Sequence, residues 1–268
     1  MTEIKNYYEK SADIYSPQGR QVYLTHDKFE SFVKLMNAGR EGGQKILDIG
    51  CNNGWVSTLY RLPGDEIKGI DISEANIKKA KEAEVDAIQC DIEKELPYPD
   101  ASFDIIICAD VLEHLFFPEN VIKEMYRVLK IGGFVIIGIP NLFCLKSRIE
   151  MLFGLQCSFI EYPYNFEHIR QFSKRSMNRL LKNYGFDVTR VIATGWYMNS
   201  EKLFRVLGIL FHGGNPGLKF LLKILTFSTY KKDYPALIVR SKVTQMLGLL
   251  FPGLACGLTF KALKKGAK

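Results

Sequence analysis

The stretch Ile46-Leu47-Asp48-Ile49-Gly50-Cys51-Asn52-Asn53-Gly54-Trp55-Val56-Ser57 constrains this chain more than any other. An apolar run ends in an acid, a loop of small residues follows, and a helix-like segment comes next. A parallel strand that turns into a ligand-binding loop has this form. Small residues let the backbone approach a ligand closely, and the N–H groups of the loop and of the helix start are expected to point at it. The stretch by itself does not identify the ligand, because glycine-rich turns open several nucleotide-binding folds.

From Lys45 to Ile139 short apolar runs alternate with helical segments, the signature of a parallel sheet covered by helices. The expected strands are 45–49, 67–71, 86–90, 103–108 and 133–139, and the expected helices are 54–61, 73–83 and 118–130. Ser73 reads as an N-cap and Gly132-Gly133 as a helix stop. Three further motifs fall at the C-terminal ends of these strands, where open α/β sheets bind ligands. Asp71 ends the second strand, 23 residues after Asp48, a spacing suited to a carboxylate that accepts ribose hydroxyls. Cys90-Asp91-Ile92 ends the third. The fourth is Phe103-Asp104-Ile105-Ile106-Ile107-Cys108-Ala109-Asp110-Val111-Leu112-Glu113-His114-Leu115, preceded by Leu96-Pro97-Tyr98-Pro99-Asp100-Ala101-Ser102.

In their order and spacing these motifs resemble the class I S-adenosylmethionine-dependent methyltransferases of the methyltransferase type 11-like group. The resemblance implies an α/β, Rossmann-like seven-stranded sheet of order 3-2-1-4-5-7-6, flanked by helices, with the last strand antiparallel. It implies S-adenosylmethionine as cofactor and S-adenosylhomocysteine as product. The implied cofactor residues are Asp48, Gly50, Cys51, Asn52, Asn53 and Gly54 in the first loop, Asp71 and Ile72, Asp91 and Ile92, and Ala109 and Asp110. One departure stands out. The family's loop usually has glycine where this chain has Asn52, and Asn is the non-glycine residue that best tolerates left-handed backbone angles.

Residues 1–40 read as a helical cover, in which Tyr8, Tyr15 and Arg20 either contact the cofactor or pack the segment onto the domain. Residues 141–172 lie where a substrate lid inserts after the fifth strand. There His168 is the first choice for a base or orienting group and Arg170 for an anchor of an acidic substrate group. Tyr162, Tyr164 and Phe166 are candidates to wall an apolar pocket. His114 is the second choice for a base. Asp110, Glu113 and His114 could also hold a divalent metal, as the resemblance to quinone O-methyltransferases implies; the favoured reading is no metal and a position beside the cofactor. Residues 185–192 read as the sixth strand and Pro235–Lys242 as the last. Between them, 200–232 reads as two basic amphipathic helices, inserted into a domain that spans 1–242. Residues 243–268 read as an apolar-basic tail; its uncharged run from Val243 to Phe260 is close to the roughly 20 residues of a membrane span but is broken by Pro252-Gly253, so it reads as an interfacial or re-entrant element flanked by lysines.

Charge sharpens this division. Residues 202–268 hold twelve Lys or Arg against one acid, Asp233, a balance of +11 that leaves −4 for residues 1–201 of the chain's +7. Such asymmetry points to a polyanionic surface. The six cysteines are scattered without a Cys-x-x-Cys pair, which argues for reduced, buried thiols. The N-terminus lacks a signal peptide's apolar stretch, so a cytoplasmic chain is expected, peripheral on the inner face of the membrane if the basic segments bind lipid. The reading is a methyltransferase acting by O-methylation on a small-molecule, lipid or lipid-linked saccharide acceptor, with homo-oligomers open. Two rivals remain: an RNA methyltransferase whose basic quarter binds phosphates, and a non-catalytic binding module of the same fold.

Overall fold

The computed structural model of the protein describes residues 26–152, 154, 167–194 and 251–266. In chain order the elements are α1 (His26–Asn37), β1 (Lys45–Ile49), α2 (Trp55–Tyr60), β2 (Glu66–Asp71), α3 (Glu74–Glu82), β3 (Asp86–Gln89) and β4 (Phe103–Ala109). They continue with α4 (Pro118–Val128), β5 (Leu129–Pro140), α5 (Leu145–Leu152), α6 (Lys174–Asn183), β6 (Phe186–Thr194) and β7 (Gly257–Lys264). The sheet has seven strands in the order β3-β2-β1-β4-β5-β7-β6, the order that the resemblance implies. Strands β1 to β5 pair in parallel, and β7 runs antiparallel to both of its neighbours.

Both faces of the central strands are buried, so their side chains divide by the period of two. Leu47, Ile49, Ile106, Cys108, Val135 and Ile137 face a core closed by α4 and α6. Ile46, Ile105, Ile107 and Ile136 face the opposite core, closed by Phe32, Leu35 and Met36 of α1, Tyr60 of α2 and Ile77 and Ala80 of α3. Ser73 caps α3 as expected, its side chain accepting from the Asn76 N–H. Cys51, Cys108, Cys144 and Cys256 are buried and form no disulfide.

The identity of the seventh strand corrects the sequence reading. Residues 257–264, assigned from sequence to a tail outside the domain, lie between β5 and β6. Leu258, Phe260 and Ala262 point into the first core. Lys261 points the other way, with its Nζ 3.8 Å from the centre of the Phe134 ring. The alternation was present in the sequence, but it was absorbed into the longer uncharged run from Val243 to Phe260. The domain therefore extends past 242, and this part of the tail is sheet and not an interfacial element. The expected strand at 235–242, the helices at 200–232 and residues 1–25 of the cover expected over 1–40 lie outside the described residues. Among the described residues no helix is long and apolar enough to cross a membrane.

Candidate functional site

Strands β1 and β4 are neighbours, and the chain leaves them in opposite directions along the sheet, toward β2 and toward β5. Open α/β sheets bind ligands at such a reversal, outside the carboxyl ends of the strands. Asp48, Asp71, Asp91 and Asp110 all arrive at that edge, each at or just beyond the end of its own strand.

The first loop is held down on β2. Gly50 N and Cys51 N both donate to the Ile70 carbonyl, at 2.8 and 3.1 Å. Asn52 has φ 49°, the left-handed conformation its position requires, and its N–H donates to Asp71 Oδ2 at 2.9 Å. Its side-chain Oδ1 accepts from Asn53 N at 2.7 Å, and Asn53 Oδ1 accepts from Trp55 N at 3.1 Å. Gly54 N donates to the Cys51 carbonyl. Gly50 has no room for a side chain, because a Cβ there would lie 2.4 Å from Val111 Cγ2.

Each backbone N–H from Gly50 to Trp55 therefore has an acceptor within the protein. This corrects the expectation that these groups point at a ligand. A pyrophosphate needs such donors, and this loop spends them on its own shape. What the edge offers instead is carboxylates and apolar surface, which suits an adenosine joined to an amino-acid end better than a dinucleotide.

Asp48 is buried, and its Oδ2 accepts from Ser57 Oγ at 2.6 Å and from Tyr60 Oη at 2.8 Å. Burial pushes its carboxyl up to about 6 against the two hydroxyl bonds, with the nearby Asp71 charge adding to the rise. Asp71, also buried, accepts from Asn52 N and Ser73 N, both at 2.9 Å, and more weakly from Asn76 Nδ2 at 3.4 Å. Burial raises its pKa, and these donors hold the rise back. Ser57, Tyr60 and Asn76 were missed in the sequence; polar side chains on the buried faces of α2 and α3 were the signal. Asp91 is half-buried and accepts from Glu93 N at 3.2 Å, while Ile92 packs on the core. Asp110 follows β4 with φ 55°, a strained conformation for a non-glycine residue, and its N–H donates to the Gly138 carbonyl.

A second cluster sits just beyond β4. Leu112–His114 is a single 3-10 turn, and α4 starts only at Pro118. Glu113 is 1% exposed. The returning chain of residues 167–172 lies against this turn. Arg170 N donates to the Glu113 carbonyl at 2.9 Å, and His114 Nδ1 lies 3.0 Å from the Glu167 carbonyl. A carbonyl only accepts, so the Nδ1 carries the proton and the neutral ring presents its Nε2 lone pair, 3.9 Å from Glu113 Oε1. Burial lowers the His114 pKa, partly opposed by the Glu167 charge. The His168 ring stands 4.9 Å from that of His114, centre to centre. Glu113, His114 and His168 bring ligand-type atoms within 4.8 Å of one another, a set able to share a proton or hold a cation, and one in which His168 appears in place of Asp110. Arg170 Nε and Nη2 donate to the Phe116 carbonyl at 3.1 and 2.5 Å. Tyr8, Tyr15, Arg20, Tyr162, Tyr164 and Phe166 lie outside the described residues.

Asn141 ties this edge together. Its Nδ2 donates to the Gly253 and Ala255 carbonyls at 2.9 and 2.7 Å. Its Oδ1 accepts from Phe143 N, and its backbone bridges to Phe172.

Residues 47–137 match a family described as "Methyltransferase domain". The chain is 31% identical over 153 residues to a "probable S-adenosylmethionine-dependent methyltransferase" of Mycolicibacterium smegmatis, covering 56% of this chain and 55% of that one. It is 35% identical over 108 residues to a ubiquinone biosynthesis O-methyltransferase of Pseudomonas putida, covering 37% and 45%. The chain thus spans about half the length of the curated relatives it matches. Among solved structures, an S-adenosylmethionine-dependent methyltransferase from Thermotoga maritima superposes with a TM-score of 0.59 over 97% of this chain and 95% of that one, at 18% identity. At that identity the likeness is one of fold.

Proposed function

We propose that this chain, which carries a methyltransferase domain of the class I S-adenosylmethionine-dependent kind, transfers a methyl group to a hydroxyl of a lipid-like or lipid-linked acceptor. The observation that carries the donor half is the Asn52–Asp71 latch. It closes the first loop with every N–H from Gly50 to Trp55 satisfied, a loop shaped for a ligand without phosphates. Asp71 and Ile72 would take the ribose side, Asp91 and Ile92 the adenine, and Ala109 and Asp110 the floor beside it. Asp48 and the loop would take the methionine end.

Bound there, S-adenosylmethionine supplies a methyl group already activated on a sulfonium. The protein's own work is then to align the acceptor, exclude water and receive a proton. His168 is our base for the acceptor hydroxyl, with His114 and Glu113 behind it. The neutral, Nδ1-protonated His114 leaves an acceptor nitrogen in the cluster, so a proton taken by His168 has a carboxylate and an imidazole close by. Arg170 would steer an acidic group of the acceptor.

The acceptor class follows from the insertion between β6 and β7. Residues 195–250 hold eight Lys or Arg against Glu201 and Asp233, interleaved with long apolar runs. That mixture favours a lipid-like partner over RNA, and a peripheral place at an anionic membrane face. Titration calorimetry with S-adenosylmethionine and with NAD tests the donor half. We expect binding of the first only, weakened at least tenfold in Asp71→Ala, since two backbone N–H groups lose a charged acceptor. Binding of NAD, or an Asp71→Ala variant with unchanged affinity, would sink the reading.

A further inference from the structure

Nine large apolar side chains are exposed among the described residues, and four of them are phenylalanines on turns at the ligand-binding edge of the sheet. Phe116 and Phe117 follow β4 and are 51 and 56% exposed, Phe143 follows β5 at 41%, and Phe251 precedes β7 at 53%. These turns are not frayed. Glu93 Oε1 accepts from both Phe116 N and Phe117 N, at 2.6 and 3.0 Å, while Arg170 donates to the Phe116 carbonyl. Phe143 N donates to Asn141 Oδ1, and the Phe143 carbonyl accepts from Arg148 Nε at 2.8 Å. The Phe251 carbonyl accepts from Leu254 N. Backbone hydrogen bonds thus hold the rings outward against the hydrophobic cost of their exposure. Two of the three turns also carry an exposed arginine on a phenylalanine carbonyl.

Strand β6 ends at Thr194 and β7 begins at Gly257, and Thr194 and Pro140 both pair with Gly257, so the intervening sequence 195–250 is joined to the sheet at this edge. That segment has a balance of +6, out of +7 for the whole chain. Aromatic rings with guanidinium groups beside them, joined to a basic segment, match the apolar boundary and the phosphates of an anionic bilayer.

We propose that the Phe116-Phe117, Phe143 and Phe251 turns form a docking edge for an anionic lipid surface, so that an acceptor enters the site directly from the bilayer. The proposal takes from the methyl-transfer reading its placement of the acceptor mouth, and of the C-terminal tail it keeps only the Phe251 turn in the membrane contact. Co-sedimentation of the full chain with vesicles tests it. The protein should partition onto equimolar phosphatidylcholine–phosphatidylglycerol vesicles and only weakly onto phosphatidylcholine alone. The F116S/F117S double variant and the F143S/F251S double variant should each lose about tenfold in partitioning. I131S should match the parent chain, because Ile131 is 70% exposed but lies at the opposite end of β5. Absence of vesicle binding by the parent chain, equal binding by the double variants, or a dimer that those variants dissociate would overturn the proposal. Calorimetry with S-adenosylmethionine on the same proteins separates the two readings. Donor binding kept while vesicle binding is lost shows a folded protein with its docking edge removed. Vesicle binding in a parent chain that binds no donor would leave docking standing and remove the methyl-transfer reading.

Discussion

The two sides of the ligand-binding edge are built differently. On the donor side, Asp48 to Tyr60 is one continuous run, and its partners Asp71, Ser73 and Asn76 come from the next strand and helix. On the acceptor side, the turn at Glu113-His114, the end of β5 at Asn141, the segment at Glu167–Phe172 and the return at Gly253–Cys256 meet from four distant stretches. Local construction leaves a motif that can be read; assembly from distant stretches leaves only scattered residues. The donor side should therefore tolerate changes far from it, whereas the acceptor side should fail as a unit when any one of its stretches is lost.

The strongest test of this contrast is a chain cut after Lys242, the boundary that sequence alone suggested. It lacks β7, and so deprives β5 and β6 of their shared partner and the first core of Leu258, Phe260 and Ala262. We expect no cooperative thermal transition by circular dichroism; a truncated protein that melts like the full chain would refute the placement of β7.

Next in size is a pH effect on the donor side. The folded pKa of Asp48, about 6, lies above its unfolded value of 3.8. The folded state therefore binds the extra proton between these values, and stability from this group is lost as pH rises from about 4 to 6. The loss is about 3 kcal/mol at most, from roughly two pKa units. In Asp48→Asn the amide oxygen can keep accepting from Ser57 and Tyr60, so urea midpoints measured from pH 4 to 7 should lose that slope.

Asn141→Ala on the acceptor side should cost about 2 kcal/mol, because the Gly253 and Ala255 carbonyls lose their buried donors. Its signature in urea denaturation should be a lower midpoint while S-adenosylmethionine affinity is kept. An equal loss of donor affinity would show that the two sides are not separable. The smallest effect is expected at Asn52→Gly. Glycine adopts φ 49° without strain and forfeits only the bond to Asn53 N, so stability should change by about 1 kcal/mol or less. Asn52→Val, strained at that angle, should be clearly worse in the same melts.

The parallel half of the sheet was legible because each strand announces itself by an apolar run ending in an acid or a small residue. The same periodicity, with both faces buried, places Ile46, Leu47, Ile105 and Ile106 without further information. Asn52 was legible too, since few side chains accept a left-handed backbone. The N–H groups of the first loop were not. Their partners are a carbonyl and a carboxylate on β2 and a carbonyl and side chains within the loop itself, and only the folded geometry shows them occupied. Nor was β7 legible, because an antiparallel strand inserted from the far end of the chain has no neighbouring helix to mark it.

Sequence by itself determined the parallel strands β1 to β5, the strand ends that bear Asp48, Asp71, Asp91 and Asp110, and the left-handed residue in the first loop, because those features depend on period, spacing and local backbone preference. Tertiary structure alone decided that Gly257–Lys264 completes the sheet, that His114 and His168 meet over Glu113, and that Asn141 joins the acceptor-side segments. Those contacts join residues tens to more than a hundred positions apart, and chain packing, not local preference, selects which of them form.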